Sequence, residues 1–186
     1  MGNRPKKIGK LAELIFLVLY GTLMFVLKWV MMYFPNIEPV SVMIIALAAS
    51  FGAWSLLSVY VYVLLEFLIL GIGIWNVMYL YVWALLAMLI ILLQRPLSSF
   101  ERLIKHSKGF VISGCYTFIS GLFGLGFGTL CCIPYIFAFG IEYAIAWVVS
   151  GFGFDVTHCV GNVVMTAVLF FPLQKVLLFA KRKFRG

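Results

Sequence analysis

The chain has 186 residues, of which 65% are hydrophobic and 11% are charged, and its mean hydropathy is +1.13. A soluble domain is typically about half apolar, so this composition excludes a water-soluble protein and indicates an all-α polytopic membrane protein. The net charge of +8 does not indicate nucleic-acid binding, because the basic residues flank apolar segments instead of forming a folded basic face.

The basic residues collect in three places, which are residues 1–10, residues 95–109 and residues 180–186. The positive-inside rule predicts that the first and last are cytoplasmic tails and that the second is a cytoplasmic loop. We therefore expect one integral-membrane domain over residues 1–186, with both termini in the cytoplasm and an even number of crossings.

The apolar segments predicted to be helical are, in chain order, Leu11–Phe34, the two arms of Val40–Leu70, Met78–Leu93, Phe110–Cys132, Ile133–Ser150 and Asp155–Phe179. The turn Pro35–Pro39 is rigid because each proline fixes φ, and it is expected on the outer face. Phe51–Trp54 is expected to be the inner turn of a helical hairpin.

The number of apolar segments is odd, whereas the basic clusters require an even number of crossings. Ile133–Ser150 is short for a bilayer that needs about 20 helical residues, and discounting it keeps every basic cluster inside. We therefore predict six transmembrane helices plus one short interrupted or re-entrant segment.

Polar residues open the last predicted helix in a regular pattern. Asp155, His158 and Asn162 are spaced i, i+3 and i+7, so on a helix they form one stripe about two turns long. Polar side chains in a membrane helix are costly unless something occupies the face that carries them. Two alternatives are that Asp155 only caps the helix and that the stripe only sets helix register.

On the predicted topology the ionisable residues of the spans and outer turns, including Lys28, lie towards the outer face, where they indicate one polar pocket. Trp75, Tyr79 and Trp83 are four residues apart, so on a helix they would share a face and wall this pocket, unless they are interfacial aromatic residues. A structural Lys28–Glu66 salt bridge is a further alternative. The predicted substrate-binding residues are Asn36, Glu38, Glu66, Trp75, Asn76, Tyr79, Glu142, Asp155, His158 and Asn162.

Two other functions compete with small-molecule binding. Asp155, His158 and Glu142 would be the ligands of an intramembrane metal-dependent enzyme, since a catalytic zinc normally has three protein ligands and a water. A ligand-free membrane scaffold is the other alternative. The preferred prediction is a chain that is not an enzyme and binds no metal or cofactor, and no phosphate-cradling loop with its lysine indicates an ATPase.

Three stretches resemble the integral-membrane S component of energy-coupling factor (ECF) transporters. They are the turn Pro35–Pro39, the aromatic run Trp75–Trp83, and Phe154–Asn162, which reads Phe-Asp-x-x-His-x-x-Gly-Asn and is followed by Phe-Pro-Leu at 171–173. The resemblance extends from the first span to the C-terminus. It implies a six-helix bundle in a prokaryotic cell membrane that captures a vitamin or related micronutrient from outside.

The resemblance also implies partners, namely a transmembrane coupling protein and two cytoplasmic ATPases that use ATP. Carried over by position, it implies ligand contacts at Asn36, Glu38, Trp75, Asn76, Tyr79, Asp155, His158 and Asn162. Many S components dock through an Ala-xxx-Ala patch on the first helix. Here the nearest match is Val18–Thr22, so we expect docking through Val18, Gly21 and Thr22.

Overall fold

The computed structural model describes residues 9–34, 37–103 and 109–185, with the side chains of all of these except 98–103. Within these residues every regular element is helical. The α-helices are α1 (Lys10–Val30), α2 (Val40–Phe51), α3 (Ser55–Leu70), α4 (Ile74–Val77), α5 (Tyr79–Leu103), α6 (Phe110–Leu125), α7 (Phe127–Cys131), α8 (Ile133–Phe139) and α9 (Ile141–Arg185).

Within the described part of the chain, four helical segments are long and apolar enough to cross a membrane. They are Lys10–Val30, Val40–Leu70, Ile74–Leu97 and Ile141–Arg185, and Phe110–Leu125 is a shorter apolar helix. These helices indicate a membrane-embedded protein, as the composition predicts. The all-α fold class is thereby confirmed for the described residues.

The second of these segments doubles back at Gly52. Its φ of 62° lies in a region that other residues rarely adopt, and it ends α2. The hydroxyl of Tyr20 donates to the carbonyl of Met43, and the ring of Phe16 stacks on that of Phe51 at 5.9 Å. Later residues of α2 therefore lie beside earlier residues of α1, so the two helices are antiparallel.

The next helix runs parallel to α1. The hydroxyl of Ser58 donates to the carbonyl of Leu17 at 2.7 Å, and Lys28 pairs with Glu66 further along both helices. The chain thus reverses at the position predicted for the inner turn. Between them, α2 becomes the centre of the bundle, where it packs on α9 and α5 with only Ala49 partly exposed.

Helices α6 and α9 are antiparallel, and the end of α9 lies beside the start of α1. The rings of Tyr116 and Phe170 lie 4.8 Å apart, while Gly128 contacts Asp155 at the opposite end of the pair. At the end of α9, Arg185 donates to the buried carboxylate of Glu13 in α1. The start of α1 and the end of α9 therefore lie at the same end of the bundle.

The predicted break before Asp155 is wrong. Helix α9 continues through Gly151 and Gly153 for 45 residues, about 68 Å, so Asp155 lies inside a helix and does not cap one. A helical glycine costs only about 1 kcal/mol relative to alanine, which the continuous helix tolerates. The interruption is at Gly140, where φ is 88° and α8 turns back to pack on the start of α9.

Candidate functional site

The polar stripe of α9 faces the interior of the bundle. Asp155, His158 and Asn162 are only 5%, 1% and 1% exposed, and Thr166 extends the stripe by one more turn. The facing surface is α6 and α7, which carry glycines where the helices meet. The structure therefore brings the three predicted residues together on one buried face.

Asp155 has a structural role in this interface. Its Oδ1 accepts a hydrogen bond from the backbone N–H of Gly128 at 2.9 Å. A Cβ atom at Gly128 would lie 2.9 Å from the same oxygen, so a larger residue there would displace the carboxylate. The carboxylate therefore joins α9 to α7 through a bond to backbone, as the helix-register alternative requires.

The amide nitrogen of Asn162 makes a structural hydrogen bond, whereas its amide oxygen has no partner in the described structure. Its Nδ2 donates to the carbonyl of Ser120 at 3.1 Å, and Thr166 donates to the Ser120 hydroxyl at 2.8 Å. Its Oδ1 is buried and has no hydrogen-bond partner within the described part of the chain. One acceptor therefore remains available beside His158.

The imidazole of His158 is buried inside the bundle. Neither Nδ1 nor Nε2 has a hydrogen-bond partner among the described residues. The ring packs edge-on against Phe127 with 4.5 Å between centroids. Since a neutral imidazole carries one donor and one acceptor, two hydrogen-bonding groups are left unsatisfied here.

A row of aromatic rings continues from His158 into the bundle. The ring of Phe127 lies 5.4 Å from that of Trp83, which in turn lies 6.1 Å from Tyr62 and 5.7 Å from Tyr79. Trp83 is completely buried, and its Nε1 donor has no partner in the described structure. Its four-residue spacing from Tyr79 marked it in the sequence as a pocket wall, but not as a hydrogen-bonding residue.

An ionic cluster closes the other end of this row. Lys28 Nζ donates to Glu66 Oε1 at 2.8 Å and to the Tyr79 hydroxyl at 3.3 Å, and it lies 4.7 Å from the centre of the Tyr79 ring. Glu66 is fully buried, whereas Glu38, in the loop before α2, is half-buried. The structural Lys28–Glu66 salt bridge is therefore present.

Glu38 belongs electrostatically to this cluster. Burial raises the pKa of its carboxyl from 4.5 to about 7, against the lowering effect of Lys28 and with Glu66 adding to the rise. Trp75 lies at the surface nearby and lines a cavity of about 370 Å³ together with Lys28 and Glu66. Lys28 therefore acts on both carboxyl groups, through an ion pair with Glu66 and through its charge on Glu38.

Two of the predicted residues, Asn76 and Glu142, do not join this site. Asn76 is saturated by its own loop, because its Oδ1 accepts from Gly73 N at 2.8 Å and its Nδ2 donates to Gly71 O at 2.7 Å. Glu142 is exposed in the first turn of α9, about 20 Å along the helix axis from Asp155. Asn36 lies outside the described residues.

No known protein family, curated protein or solved structure matches this chain. Its function therefore has to be argued from the site. Across the described residues no three His, Cys, Asp or Glu side chains come together as a metal site. The distance along α9 separates Glu142 from Asp155 and His158, so these three do not form the ligand set that the enzyme alternative needs.

The predicted docking residues on α1 differ in exposure. Val18 is 40% exposed, and Thr22 is half-buried with its hydroxyl bonded to the Val18 carbonyl at 3.1 Å. Gly21 is buried, because a Cβ there would meet the backbone carbonyl of Ser58 in α3. Gly21 therefore sets the close approach of α1 to α3 and is not part of an external surface.

Proposed function

We propose that this chain is the substrate-binding S component of an ECF-type importer and that it holds a small, vitamin-like molecule inside the bundle. The observation that carries the proposal is a set of buried polar atoms without partners in the described structure. Four such atoms lie along the polar stripe and the aromatic row, namely Nδ1 and Nε2 of His158, Oδ1 of Asn162 and Nε1 of Trp83. All three side chains are at most 1% exposed.

Such groups are expensive to maintain in a ligand-free protein. A buried donor or acceptor without a partner costs about 1–3 kcal/mol, and native structures contain few of them. A small molecule that offers both donors and acceptors would satisfy them together. Phe127 lies between His158 and Trp83, so it would supply an aromatic surface for the apolar part of that molecule.

The helix directions support a six-crossing topology. Counting the reversal at Gly52, the long segments α1, α2, α3, α5, α6 and α9 alternate in direction. Helix α5 is antiparallel to α3, because Tyr60 contacts Leu80 while Gly52, before α3, lies beside Gln94. Helix α6 is antiparallel to α5, because Trp83 contacts Phe123 while Gln94 lies beside Tyr116. With α1 starting and α9 ending at one face, the basic tails would lie on the same side, which the positive-inside rule makes the cytoplasm of a prokaryotic cell. In this topology α8 is the short segment that does not cross.

Transport would draw its energy from partner subunits. The sequence contains no phosphate-cradling loop, so ATP would be hydrolysed by two cytoplasmic ATPases joined through a transmembrane coupling protein. The exposed side of α1 that carries Val18 would dock to that protein. Gly21 would contribute only by holding α1 against α3.

Native mass spectrometry of the gently solubilised protein tests the proposal. We expect a small-molecule adduct on the wild-type protein that is lost in His158→Phe and in Trp83→Phe, because each change removes hydrogen-bonding atoms from the site. Val160→Leu is the matched control, since Val160 is exposed on the same helix. An adduct retained equally in all four proteins would contradict the proposed site.

A ligand-free scaffold is the second candidate. It is favoured by the bonds from Asp155 to Gly128 and from Asn162 to Ser120, which use part of the stripe to join α9 to its neighbours. A scaffold predicts that His158→Phe leaves growth and uptake unchanged. The S-component proposal predicts that the same change abolishes uptake while the protein remains folded.

A further inference from the structure

Helices α6 and α9 separate on their outward side and leave a long groove. They touch closely at Gly121, where a Cβ would lie 2.7 Å from Val163 Cγ2. Towards the start of α6 the two helices line a cavity of about 690 Å³, within the range of ordinary ligand sites. Its walls include Ser113, Gly114, Thr117, Val168, Phe171 and Pro172.

The groove offers almost no hydrogen bonding. The hydroxyl of Thr117 already donates to the carbonyl of Ser113 at 2.8 Å, and the α9 wall consists of apolar side chains. Gly114 is exposed, and a Cβ added there would have no atom within 4 Å. The space therefore suits a hydrocarbon chain.

One end of the groove is positively charged. Lys175 follows Phe171 by one turn, and its Nζ lies 4.3 Å from the centre of the Phe171 ring. Arg182 follows Lys175 by two turns on the same face of α9, and both are exposed. Within the described residues, the only ion pairs are Lys28–Glu66 and Arg185–Glu13, so neither of these cations has an acidic partner there.

We propose that this groove binds an anionic phospholipid, with an acyl chain between α6 and α9 and the phosphate at Lys175. Basic pockets between transmembrane helices bind anionic headgroups, and each lysine near the membrane surface contributes about 1 kcal/mol to such binding. The apolar cavity holds the acyl chain, and Lys175 at the end of the cavity favours an anionic headgroup. This groove is separate from the buried site around His158, so either proposal can be refuted without affecting the other.

Lipid binding to the full-length protein in a neutral detergent tests this directly. Phosphatidylglycerol and phosphatidylcholine with identical acyl chains would be titrated, and the bound lipids counted by native mass spectrometry. Gly114→Leu fills the groove, and Lys175→Gln removes the charge. Gly153→Leu and Lys10→Gln are the matched controls, because Gly153 also has open space around a Cβ and Lys10 is an exposed lysine on α1.

We expect the wild-type protein and both controls to prefer phosphatidylglycerol. Lys175→Gln should weaken that binding about fivefold, which corresponds to one lysine–headgroup interaction. Gly114→Leu should weaken it roughly tenfold, as overpacking a filled site does. Unchanged phosphatidylglycerol binding in both groove variants would overturn the proposal. So would equal binding of the two lipids, or a protein dimer that only Gly114→Leu dissociates.

Discussion

Replacing His158 with phenylalanine should stabilise the ligand-free protein while it abolishes ligand binding. The imidazole contributes one donor and one acceptor that lack partners in the described structure, and each such group costs about 1–3 kcal/mol. Removal of both groups therefore raises the free energy of unfolding by about 4 kcal/mol. The phenyl ring has one more heavy atom than the imidazole and packs against Phe127, which costs about 1–3 kcal/mol in the ligand-free protein.

The net expectation is a gain of about 2 kcal/mol, or a rise in Tm of about 4–8 °C for a chain of this size. Thermal unfolding of the ligand-free protein in detergent measures it. Asp155→Ala is the contrasting variant on the same stripe, because it leaves the N–H of Gly128 without its acceptor and should lose about 1–3 kcal/mol. A loss of stability in His158→Phe would refute the reasoning, since the gain from removing two unsatisfied groups would then be smaller than the cost of the added atom.

Three further outcomes follow from the ionic cluster and the helix contacts. Lys28→Met should lower stability by about 3 kcal/mol, because it leaves the carboxylate of Glu66 buried and unpaired, and the double variant with Glu66→Leu should recover most of the loss in a chemical unfolding assay. The pKa of Glu38 is raised from 4.5 to about 7 in the folded protein. The contribution of Glu38 to the free energy of unfolding is therefore complete below pH 4.5 and declines as the pH rises through 7. Melting curves at pH 5 and pH 8 should therefore show a higher Tm at pH 5, and Glu38→Gln should reduce this difference, whereas an unchanged difference would count against the assignment. Gly124→Ala should lose about 1–3 kcal/mol, because its Cβ would lie 2.8 Å from a backbone nitrogen of α9, while Gly114→Ala has open space and should be neutral or slightly stabilising.

Local pattern identified several parts of the site correctly. The spacing of Asp155, His158 and Asn162 placed them on one helical face, because that face depends only on helix geometry. The spacing of Tyr79 and Trp83 likewise placed their rings together. The reversal at Gly52 was visible in the sequence because glycine adopts positive φ without strain.

Other features of the site could not be predicted because they depend on residues distant in sequence. Whether a polar atom on the stripe is already bonded is decided by α6 and α7, which supply Gly128 and Ser120 from residues 27 and 42 positions away. The same limit applies to Gly21, whose small size serves the contact with α3 and not an outer surface. No spacing within α1 distinguishes these two uses of glycine.

The amino-acid sequence by itself determined that the protein is helical and apolar enough for a membrane, since both follow from composition and periodicity. It also determined which face of α9 is polar. Only the tertiary structure decided that Asp155 is used for packing while His158 remains unsatisfied, and that Glu142 lies far from both. The physical reason is that hydrogen-bond satisfaction and axial distance depend on which helices pack together and on where a helix ends.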